Sequence, residues 1–228
     1  MPALLYARKS FMESLPDADR EALLALGHKH EWAARDILVR TGEPADSAIV
    51  LLSGLVKIHK ATSGGEDVVF AIGGAGDLFG EMSAIRDTTR SATVTALTAV
   101  AAIVLPVREL RAFFSEHPAA VSALLDLTLG RLHVADMQRL EFVTSGSLGR
   151  VTSRLVELAE RFGEARDGGR IDVPLPFNQE ELASWSAASR ESTARALRTL
   201  RELELIQTHR LRLTVLDLDR LRTHAARL

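Results

Sequence analysis

The sequence predicts an α+β fold in three parts: an N-terminal domain of short strands, a long central helix and a small C-terminal domain of helices and strands. Two observations support this prediction. Between residues 30 and 105, short runs of Val, Ile and Leu alternate with glycines, a pattern typical of barrels and sandwiches with tight turns. After Pro106 the apolar spacing becomes helical, and no proline follows Pro118 until well beyond Thr144.

The composition excludes several classes of protein. The 228 residues include no Cys, which removes disulfides, thiolate nucleophiles, Cys-ligated zinc and iron–sulfur clusters. No apolar run approaches the roughly 18 residues that span a bilayer, and the first ten residues lack the apolar core of a secretion signal. We therefore expect a cytoplasmic protein without a membrane partner. The sequence contains no hydrolase, zinc-protease or P-loop motif, so we expect no enzyme.

Turn residues and apolar spacing predict the N-terminal elements. Residues 10–27 form an amphipathic helical segment, with Pro16 and Asp17 at its expected start and Gly27 at its end. Five apolar runs predict strands, namely Ala48–Leu52, Leu55–Ile58, Val68–Ile72, Ala92–Leu97 and Val100–Leu105. A short helix is expected over 107–115, because His117 and Pro118 interrupt the helical pattern.

The long helix carries two apolar stripes. The first keeps a spacing of about 3.5 residues and consists of Val121, Leu125, Thr128, Leu132, Ala135, Arg139 and Phe142. The second consists of Leu124, Leu127 and Val134. One stripe is enough to cover the N-terminal domain, so the other requires a partner, and a symmetric homodimer is the simplest one. The alternative is that a single chain covers both stripes.

The C-terminal elements follow a segment of small residues, 144–149, which we interpret as a hinge. Helices are expected over 149–162, 178–186, 189–204 and 217–226, and extended segments over 171–175 and 205–216. The net charge of the whole chain is −2, whereas the part from Ser147 onward contains 14 Arg against 12 acidic residues. This asymmetry is mild, and the chain's general preference for Arg explains it equally well.

The helix expected over 189–204 has two different faces. At about 100° per residue, one face is apolar or small and consists of Thr193, Ala196, Leu197, Leu200 and Leu203. The other face carries charges around a small Ala and consists of Arg190, Glu191, Ala194, Arg195, Arg198 and Arg201. Upstream, Asn178 and Glu181 match a capping box, so two helices are joined by a short turn. This arrangement is typical of a helix-turn-helix.

The charged face permits two interpretations. Arg suits the O6 and N7 atoms of guanine and Glu accepts from the N4 amino group of cytosine, so the face has the chemistry of a DNA reader. The alternative is a solvated face stabilised by ion pairs between successive turns, such as Glu191 with Arg195.

The segment from Asn178 to Ile206 resembles the helix-turn-helix of the cyclic AMP receptor protein/FNR (CRP/FNR) family, whose core is Ser-Arg-Glu-Thr-x-x-Arg. The resemblance implies a winged helix-turn-helix in which Arg190, Glu191 and Arg195 read bases in half-sites similar to TGTGA. It implies further DNA contacts, several of them to phosphates, from Asn178, Gln179, Ser189, Ser192 and Arg198. One departure is Ala187, which replaces the usual turn glycine and costs roughly 1 kcal/mol if its backbone is left-handed.

The N-terminal half resembles the same family independently. The motifs Gly-Glu-Pro-Ala-Asp-Ser at 42–47, Gly-Asp-Leu-Phe-Gly-Glu at 76–81 and Arg-Ser-Ala-Thr at 90–93 follow its order and spacing. The resemblance implies a β-roll of the cyclic-nucleotide-binding type, whose ligand contacts are Gly80, Glu81, Met82, Arg90 and Ser91. The chemistry agrees, since Arg offers a fork to two phosphate oxygens, Glu accepts from a ribose hydroxyl, and glycine allows a phosphate to approach the backbone.

The base-selecting position departs from the family. An alignment on Arg131-Leu132 places Ala135 and Asp136 where cyclic AMP receptors carry a Thr-Ser pair that meets the adenine. A carboxylate accepts two parallel bonds from the N1–H and amino group of guanine, but only one from the amino group of adenine. Cyclic AMP remains the first expectation and cyclic GMP the second. Alternatively, Asp136 pairs with an arginine such as Arg139 and meets no base.

The sequence therefore predicts a sensor domain over 1–116, a dimerisation helix over 117–145 and a DNA-binding domain over 146–228. We expect a ligand-responsive transcription regulator that binds a palindromic DNA site as a homodimer, with RNA polymerase as a candidate partner. One alternative is a regulator of the same family that senses another signal or none. A remote alternative is a metalloenzyme with a double-stranded β-helix, for which His28-x-His30 is the only candidate pair, and we expect it to precede the strands.

Overall fold

The computed structural model describes residues 9–227. Within them the chain divides into two compact units, Lys9–Arg131 and the part from Leu132 onward. Residues 1–8 and 228 lie outside the described residues. Two predictions fall on them: the absence of a secretion signal and the outer limits of the two terminal domains. None of the helices within residues 9–227 is long and apolar enough to cross a membrane.

The first unit is a roll of two four-stranded antiparallel sheets with helices on one side. Its strands are β1 (His28–Trp32), β2 (Ile37–Val39), β3 (Ser47–Ser53), β4 (Val56–Ala61), β5 (Asp67–Gly73), β6 (Leu78–Phe79), β7 (Thr93–Ala96) and β8 (Val100–Pro106). Its helices are α1 (Asp17–Ala25), α2 (Glu81–Arg86), α3 (Val107–Glu116) and the first part of α4 (Pro118–Thr144). The sheet orders are β1-β8-β3-β6 and β2-β7-β4-β5.

The continuous apolar run of β3 has a simple cause. Its alternate residues belong to two different cores: Ala48 and Val50 pack with the helices, whereas Ile49 and Leu51 pack between the two sheets. Strands buried on both faces are apolar throughout rather than alternating. All five predicted strands are observed, and no limit differs from the prediction by more than three residues.

The structure corrects two predictions in this unit. The segment 10–27 is not one helix, because the extended backbone of Pro16 separates a 3₁₀ turn at Met12–Ser14 from α1. The His28-x-His30 pair does not precede the strands but lies in β1, at the edge of its sheet. The sequence also gave no separate prediction of β2 and β6, two short strands.

The two stripes of α4 have different surroundings. Leu127 is buried and Leu124 packs against the core shared with the roll. The first stripe, by contrast, leaves large apolar side chains exposed at Val121, Leu125, Leu132 and Phe142. The structure therefore agrees with the interpretation that one stripe covers the roll while the other is not covered by any part of residues 9–227.

The second unit packs helices against a small sheet of order β11-β12-β10-β9. Its helices are α5 (Ser147–Phe162), α6 (Gln179–Trp185), α7 (Arg190–Glu202) and α8 (Leu218–Ala226), and its strands are β9 (Glu164–Ala165), β10 (Ile171–Pro174), β11 (Ile206–His209) and β12 (Arg212–Val215). β11 and β12 form the antiparallel hairpin that is the wing. The helices and extended segments predicted from the sequence are all present, and β9 is additional.

Candidate functional site

In the first unit, α2 begins where the backbone and an arginine approach each other closely. Gly80, the residue before α2, has a φ of +80°. A Cβ atom at this position would lie 2.4 Å from Nη1 of Arg90 and could not be accommodated without a shift. Glycine is therefore required here both for its left-handed backbone and for the space it leaves.

Arg90 is a buried cation, with 5% of its surface exposed. Its Nη1 donates to the carbonyl oxygens of Ser47 at 2.7 Å and Gly80 at 3.2 Å, and its Nη2 donates to Oγ of Ser47 at 3.1 Å. Burial lowers the pKa of the Arg90 guanidinium, and the carboxylates of Asp46, Glu43 and Glu81 oppose this effect. An arginine pKa is so high that the group stays charged. The site thus presents a fixed positive charge beside a glycine backbone.

Glu81, the first residue of α2, is also buried and paired. Its Oε1 accepts a hydrogen bond of 2.5 Å from Nη1 of Arg131, whose Nη2 donates to the Leu78 carbonyl at 2.6 Å. The Arg131 guanidinium also lies 5.8 Å from the centre of the Phe79 ring. Arg131 therefore holds the carboxylate that the sequence assigned to a ribose hydroxyl.

The structure brings together five of the predicted ligand residues. Gly80, Glu81 and Met82 open α2, Arg90 contacts the Gly80 carbonyl, and Ser91 follows Arg90 in the chain. Met82 and Ser91 are exposed. The two remaining predicted residues, Ala135 and Asp136, belong to the second unit.

Asp136 has a partner within its own helix. Its Oδ1 accepts from Nη1 of Arg139 at 3.3 Å, and both side chains are largely exposed. This is the pairing that the sequence offered as the alternative to base recognition. An exposed pair of this kind is weak, so it does not prevent the carboxylate from taking another partner.

Sequence reasoning missed three residues at this site: Asp46, Ser47 and Arg131. Nη2 of Arg90 lies 3.6 Å from Oδ1 of Asp46, in addition to its bonds with Ser47. The signal for the first two was available, because they end the Gly-Glu-Pro-Ala-Asp-Ser motif. Arg131 was used as an alignment anchor without being given a role.

In the second unit, two capped helices frame a tight turn. The capping box at the start of α6 is confirmed: Oδ1 of Asn178 accepts from the Glu181 backbone N–H, and the Glu181 carboxylate accepts from the Asn178 N–H, both at 2.9 Å. Oγ of Ser189 accepts from the Ser192 backbone N–H at 3.1 Å and thereby caps α7. Between the helices, Ala187 has a φ of +47°, so this turn position is left-handed despite its Cβ.

The faces of α7 follow the prediction with one exception. Thr193, Ala196, Leu197 and Leu200 are buried, but Leu203 is 42% exposed, because it follows the last turn of the helix and lies beyond the core. The predicted DNA-contacting side chains are exposed at Asn178, Gln179, Ser189, Arg190, Glu191, Arg195 and Arg198, and Ser192 is half-buried.

Some of these side chains already have partners. Nη2 of Arg195 donates to Oε1 of Glu191 at 2.9 Å, an ion pair between two exposed groups. The hydroxyls of Ser189 and Ser192 lie 3.0 Å apart. The ion pair matches the alternative interpretation of the charged face. Exposed pairs contribute little to stability, however, and do not exclude a DNA contact.

The histidines suggested as metal ligands do not converge. His28 and His30 are exposed on β1, whereas His59 is buried, where its Nε2 lies 2.8 Å from Oγ1 of Thr95 and its Nδ1 lies 3.1 Å from Oδ1 of Asp67. Across residues 9–227, no group of three or more His, Asp or Glu side chains is placed to hold a metal ion.

Comparisons with known proteins match both units. Residues 29–117 match the cyclic nucleotide-binding domain, and residues 149–224 match the Crp-like helix-turn-helix domain. A CRP-like cAMP-activated global transcriptional regulator of Mycobacterium tuberculosis is 33% identical over 156 residues, covering 68% of this chain and 69% of that protein. A global nitrogen regulator of Synechococcus elongatus is 26% identical over 179 residues, covering 77% of this chain and 80% of the relative.

The fold is also known from solved structures. FixK2 from Bradyrhizobium japonicum is 19% identical, with a TM-score of 0.76 over 86% of this chain and 96% of that one. At this identity the likeness concerns the fold alone. The two sequence relatives are regulators rather than enzymes.

Proposed function

The chain belongs to the CRP/FNR family of transcription regulators, and from this premise we propose that a cyclic nucleotide bound to the β-roll controls its binding to palindromic DNA. Cyclic AMP is the first candidate ligand and cyclic GMP the second. The regulator acts in the cytoplasm as a homodimer joined through the exposed stripe of α4, and RNA polymerase is a further partner.

The observation that carries this proposal is the buried Arg90 guanidinium beside Gly80. A cation enclosed by protein binds an anion more strongly than an exposed one, because less water screens the pair. Its planar fork fits two oxygens of a cyclic phosphate. The half-buried Ser47 hydroxyl and the exposed Asp46 carboxylate are the contacts that a phosphate would replace, whereas the bonds to the Ser47 and Gly80 carbonyls hold the guanidinium in place.

The test is a calorimetric titration of the full chain with cyclic AMP and cyclic GMP. Arg90→Leu should abolish nucleotide binding and the response of DNA affinity to nucleotide. Arg111→Leu is the matched control, since Arg111 also donates to backbone carbonyls of α2, at Ala84 and Ile85, but at the far end of the helix. It should retain nucleotide binding. DNA affinity unchanged across both titrations would favour the second candidate described next.

The second candidate is a regulator of the same family with another signal, or with none. It is favoured by the names of the relatives, of which one is cAMP-activated and another is a nitrogen regulator. It is also favoured by Arg131, which already occupies the carboxylate of Glu81.

Base selectivity is assigned to Asp136. If this carboxylate accepts from guanine, replacing it by alanine removes a charge-assisted hydrogen bond and should lower the preference for cyclic GMP over cyclic AMP by roughly tenfold. The measurement is the ratio of the two dissociation constants in wild type and Asp136→Ala. Arg139→Ala is the control, because it removes the partner of Asp136 but not the carboxylate. An unchanged ratio in Asp136→Ala would leave Asp136 without a role in base recognition.

The DNA site follows from symmetry and from α7. A dimer with a two-fold axis binds half-sites one helical turn, about 34–36 Å, apart. Arg190, Glu191 and Arg195 read each half-site, which we expect to be similar to TGTGA. Asn178, Gln179, Ser189, Ser192 and Arg198 position the helix on the backbone of the DNA.

A further inference from the structure

Two arginines on successive turns of α5 bridge the break between α4 and α5. Arg150 and Arg154 are four residues apart and therefore lie on one face of the helix. Each contacts the end of α4 on one side and the helix-turn-helix on the other. We call this pair and its partners the arginine clasp. All of its residues belong to the second unit.

Arg150 connects the segment between α4 and α5 with the turn before α7. Its Nη1 donates to the Ser145 carbonyl at 2.6 Å, its Nε to the Ser186 carbonyl at 2.9 Å and its Nη2 to the Ala187 carbonyl at 2.9 Å. Its guanidinium also lies 5.3 Å from the centre of the Phe142 ring. One rigid fork thus joins the last turn of α4 to the turn of the helix-turn-helix.

Arg154 makes the same connection one turn later. It is 2% exposed, and its Nη2 donates to Oε2 of Glu141 on α4 at 2.5 Å while its Nη1 donates to Oε2 of Glu157 at 2.9 Å. Its guanidinium lies 5.7 Å from the centre of the Trp185 ring on α6. A buried ion pair with these further contacts is costly to break, because either charge would be left without its partner.

We propose that Arg150 and Arg154 are positioning residues, which fix the direction in which the helix-turn-helix leaves the end of α4. Two of the carbonyls that Arg150 binds, those of Ser186 and Ala187, lie after the last turn of α6, where backbone acceptors have no partner within the helix. Its bond to the Ala187 carbonyl also stabilises the left-handed turn that a glycine would otherwise favour. The predicted hinge at 144–149 is therefore bridged by side chains, and the end of α4 carries α7 with it.

The proposal has a consequence for DNA binding. A dimer must present two copies of α7 at a fixed spacing, so a loose connection between α4 and α7 weakens binding to a palindrome more than binding to arbitrary DNA. This consequence rests on the proposed role of α7 in DNA binding. The position of α7 relative to α4 does not rest on that role. The two can therefore be measured separately.

The chain contains no Cys, so two introduced cysteines carry spin labels without further changes. Thr144→Cys at the end of α4 and Glu202→Cys at the end of α7 are both exposed positions. The labelled chain is diluted with unlabelled chain, so that pulsed electron spin resonance reports distances within one protomer. We expect a narrow distance distribution in the otherwise unchanged protein and a broad one in Arg150→Ala.

Further variants separate positioning from stability. Arg150→Lys keeps the charge but cannot reach three carbonyls, so an intermediate width is expected. Glu141→Gln loosens Arg154 from α4 while leaving its pair with Glu157, and it also tests the clasp if Arg150→Ala does not fold. Arg222→Ala is the control, since it breaks the 2.7 Å bond between Arg222 and Glu160, which joins α8 to α5 away from the clasp. It should lower the melting temperature without broadening the distribution.

Affinity for a palindromic duplex should fall roughly 2- to 30-fold in the clasp variants, with a smaller loss on arbitrary DNA. A narrow distribution in Arg150→Ala and Glu141→Gln would overturn the proposal, and so would equal broadening in Arg222→Ala. The distance measurement requires no nucleotide. A chain that ignores cyclic AMP and cyclic GMP therefore contradicts the proposed ligand but leaves this test unaffected.

Discussion

The two candidate sites of this protein place their charged residues in opposite environments. In the β-roll, Arg90 and Glu81 are buried, Arg90 donates to three protein oxygens, and Glu81 accepts from Arg131. On α7, Arg190, Glu191 and Arg195 are exposed, and the ion pair between Glu191 and Arg195 is solvated. Both sites were predicted from short motifs, but the residues of the two motifs have different structural roles. The first motif builds a local structure, whereas the charged residues of the second lie on the exposed face of a helix.

This difference determines what mutations should do. A buried cation that donates hydrogen bonds to backbone carbonyls is part of the fold, so its removal affects stability as well as binding. An exposed charge on a helix face has little effect on stability, so its removal affects binding alone.

The largest effect is expected at Gly80. In Gly80→Ala the new Cβ meets Arg90 at 2.4 Å in a backbone with a φ of +80°. The left-handed backbone costs about 1–2 kcal/mol, and the displaced Arg90 leaves buried carbonyls without donors at a cost of about 1–3 kcal/mol. Urea unfolding should therefore register a loss of about 3 kcal/mol, together with loss of any nucleotide response.

Gly42→Ala is the matched control for this prediction. Gly42 also has a positive φ, +88°, but nothing lies within 4 Å of the added Cβ. Only the backbone cost applies, so the loss should be about 1 kcal/mol. Equal losses in the two variants would mean that the contact with Arg90 is accommodated. The site around Gly80 and Arg90 would then be less rigid than its geometry indicates.

Arg190→Ala tests the exposed side of the contrast. It should weaken binding to the preferred DNA by roughly 1–3 kcal/mol, relax the sequence preference at one position, and leave the melting temperature unchanged. Arg170→Ala removes an exposed arginine elsewhere in the same unit and serves as the control for charge. Equal losses of affinity on all sequences in Arg190→Ala would make Arg190 a phosphate contact instead of a base reader.

The features that sequence reasoning found correctly are local ones. The capping box of Asn178 and Glu181 depends on a few neighbouring residues. The apolar runs of β3 and β8 and the stripes of α4 have clear periods. The family resemblance adds the expectation that Gly80 and Arg90 lie together in one site, which no local pattern predicts.

The features it missed depend on distant partners. β1 is a polar, exposed edge strand that is held by backbone pairing with β8, so its side chains carry no strand pattern. Arg131 and Arg154 are ordinary arginines of amphipathic helices until the fold brings Glu81 and Glu141 to them. Which arginine becomes buried is decided by packing and cannot be deduced from spacing.

The smallest effect is expected at Glu157, a buried carboxyl group in the second unit. It tests whether a charged residue affects stability because it is buried or because of the unit in which it lies. Burial raises the pKa of the Glu157 carboxyl, although Arg154 and Arg161 oppose this and Glu141 reinforces it. The folded chain therefore holds this proton more tightly than the unfolded chain. The stability that results is complete below the ordinary carboxyl pKa and is lost as the pH rises through the raised value.

Glu157→Gln imitates the protonated form and should remove the loss of stability that accompanies deprotonation of Glu157. The unfolding free energy of the variant should therefore fall less between acidic and neutral pH than that of the wild type. At neutral pH the two proteins should differ by about 1 kcal/mol or less. Glu160→Gln alters the same helix but leaves Glu157 in place, so the fall should persist in it. The measurement is urea unfolding across the acidic and neutral range. Parallel curves for wild type and Glu157→Gln would mean that Arg154 holds the carboxylate charged in the fold, and that a buried charge in this unit behaves like a satisfied ion pair.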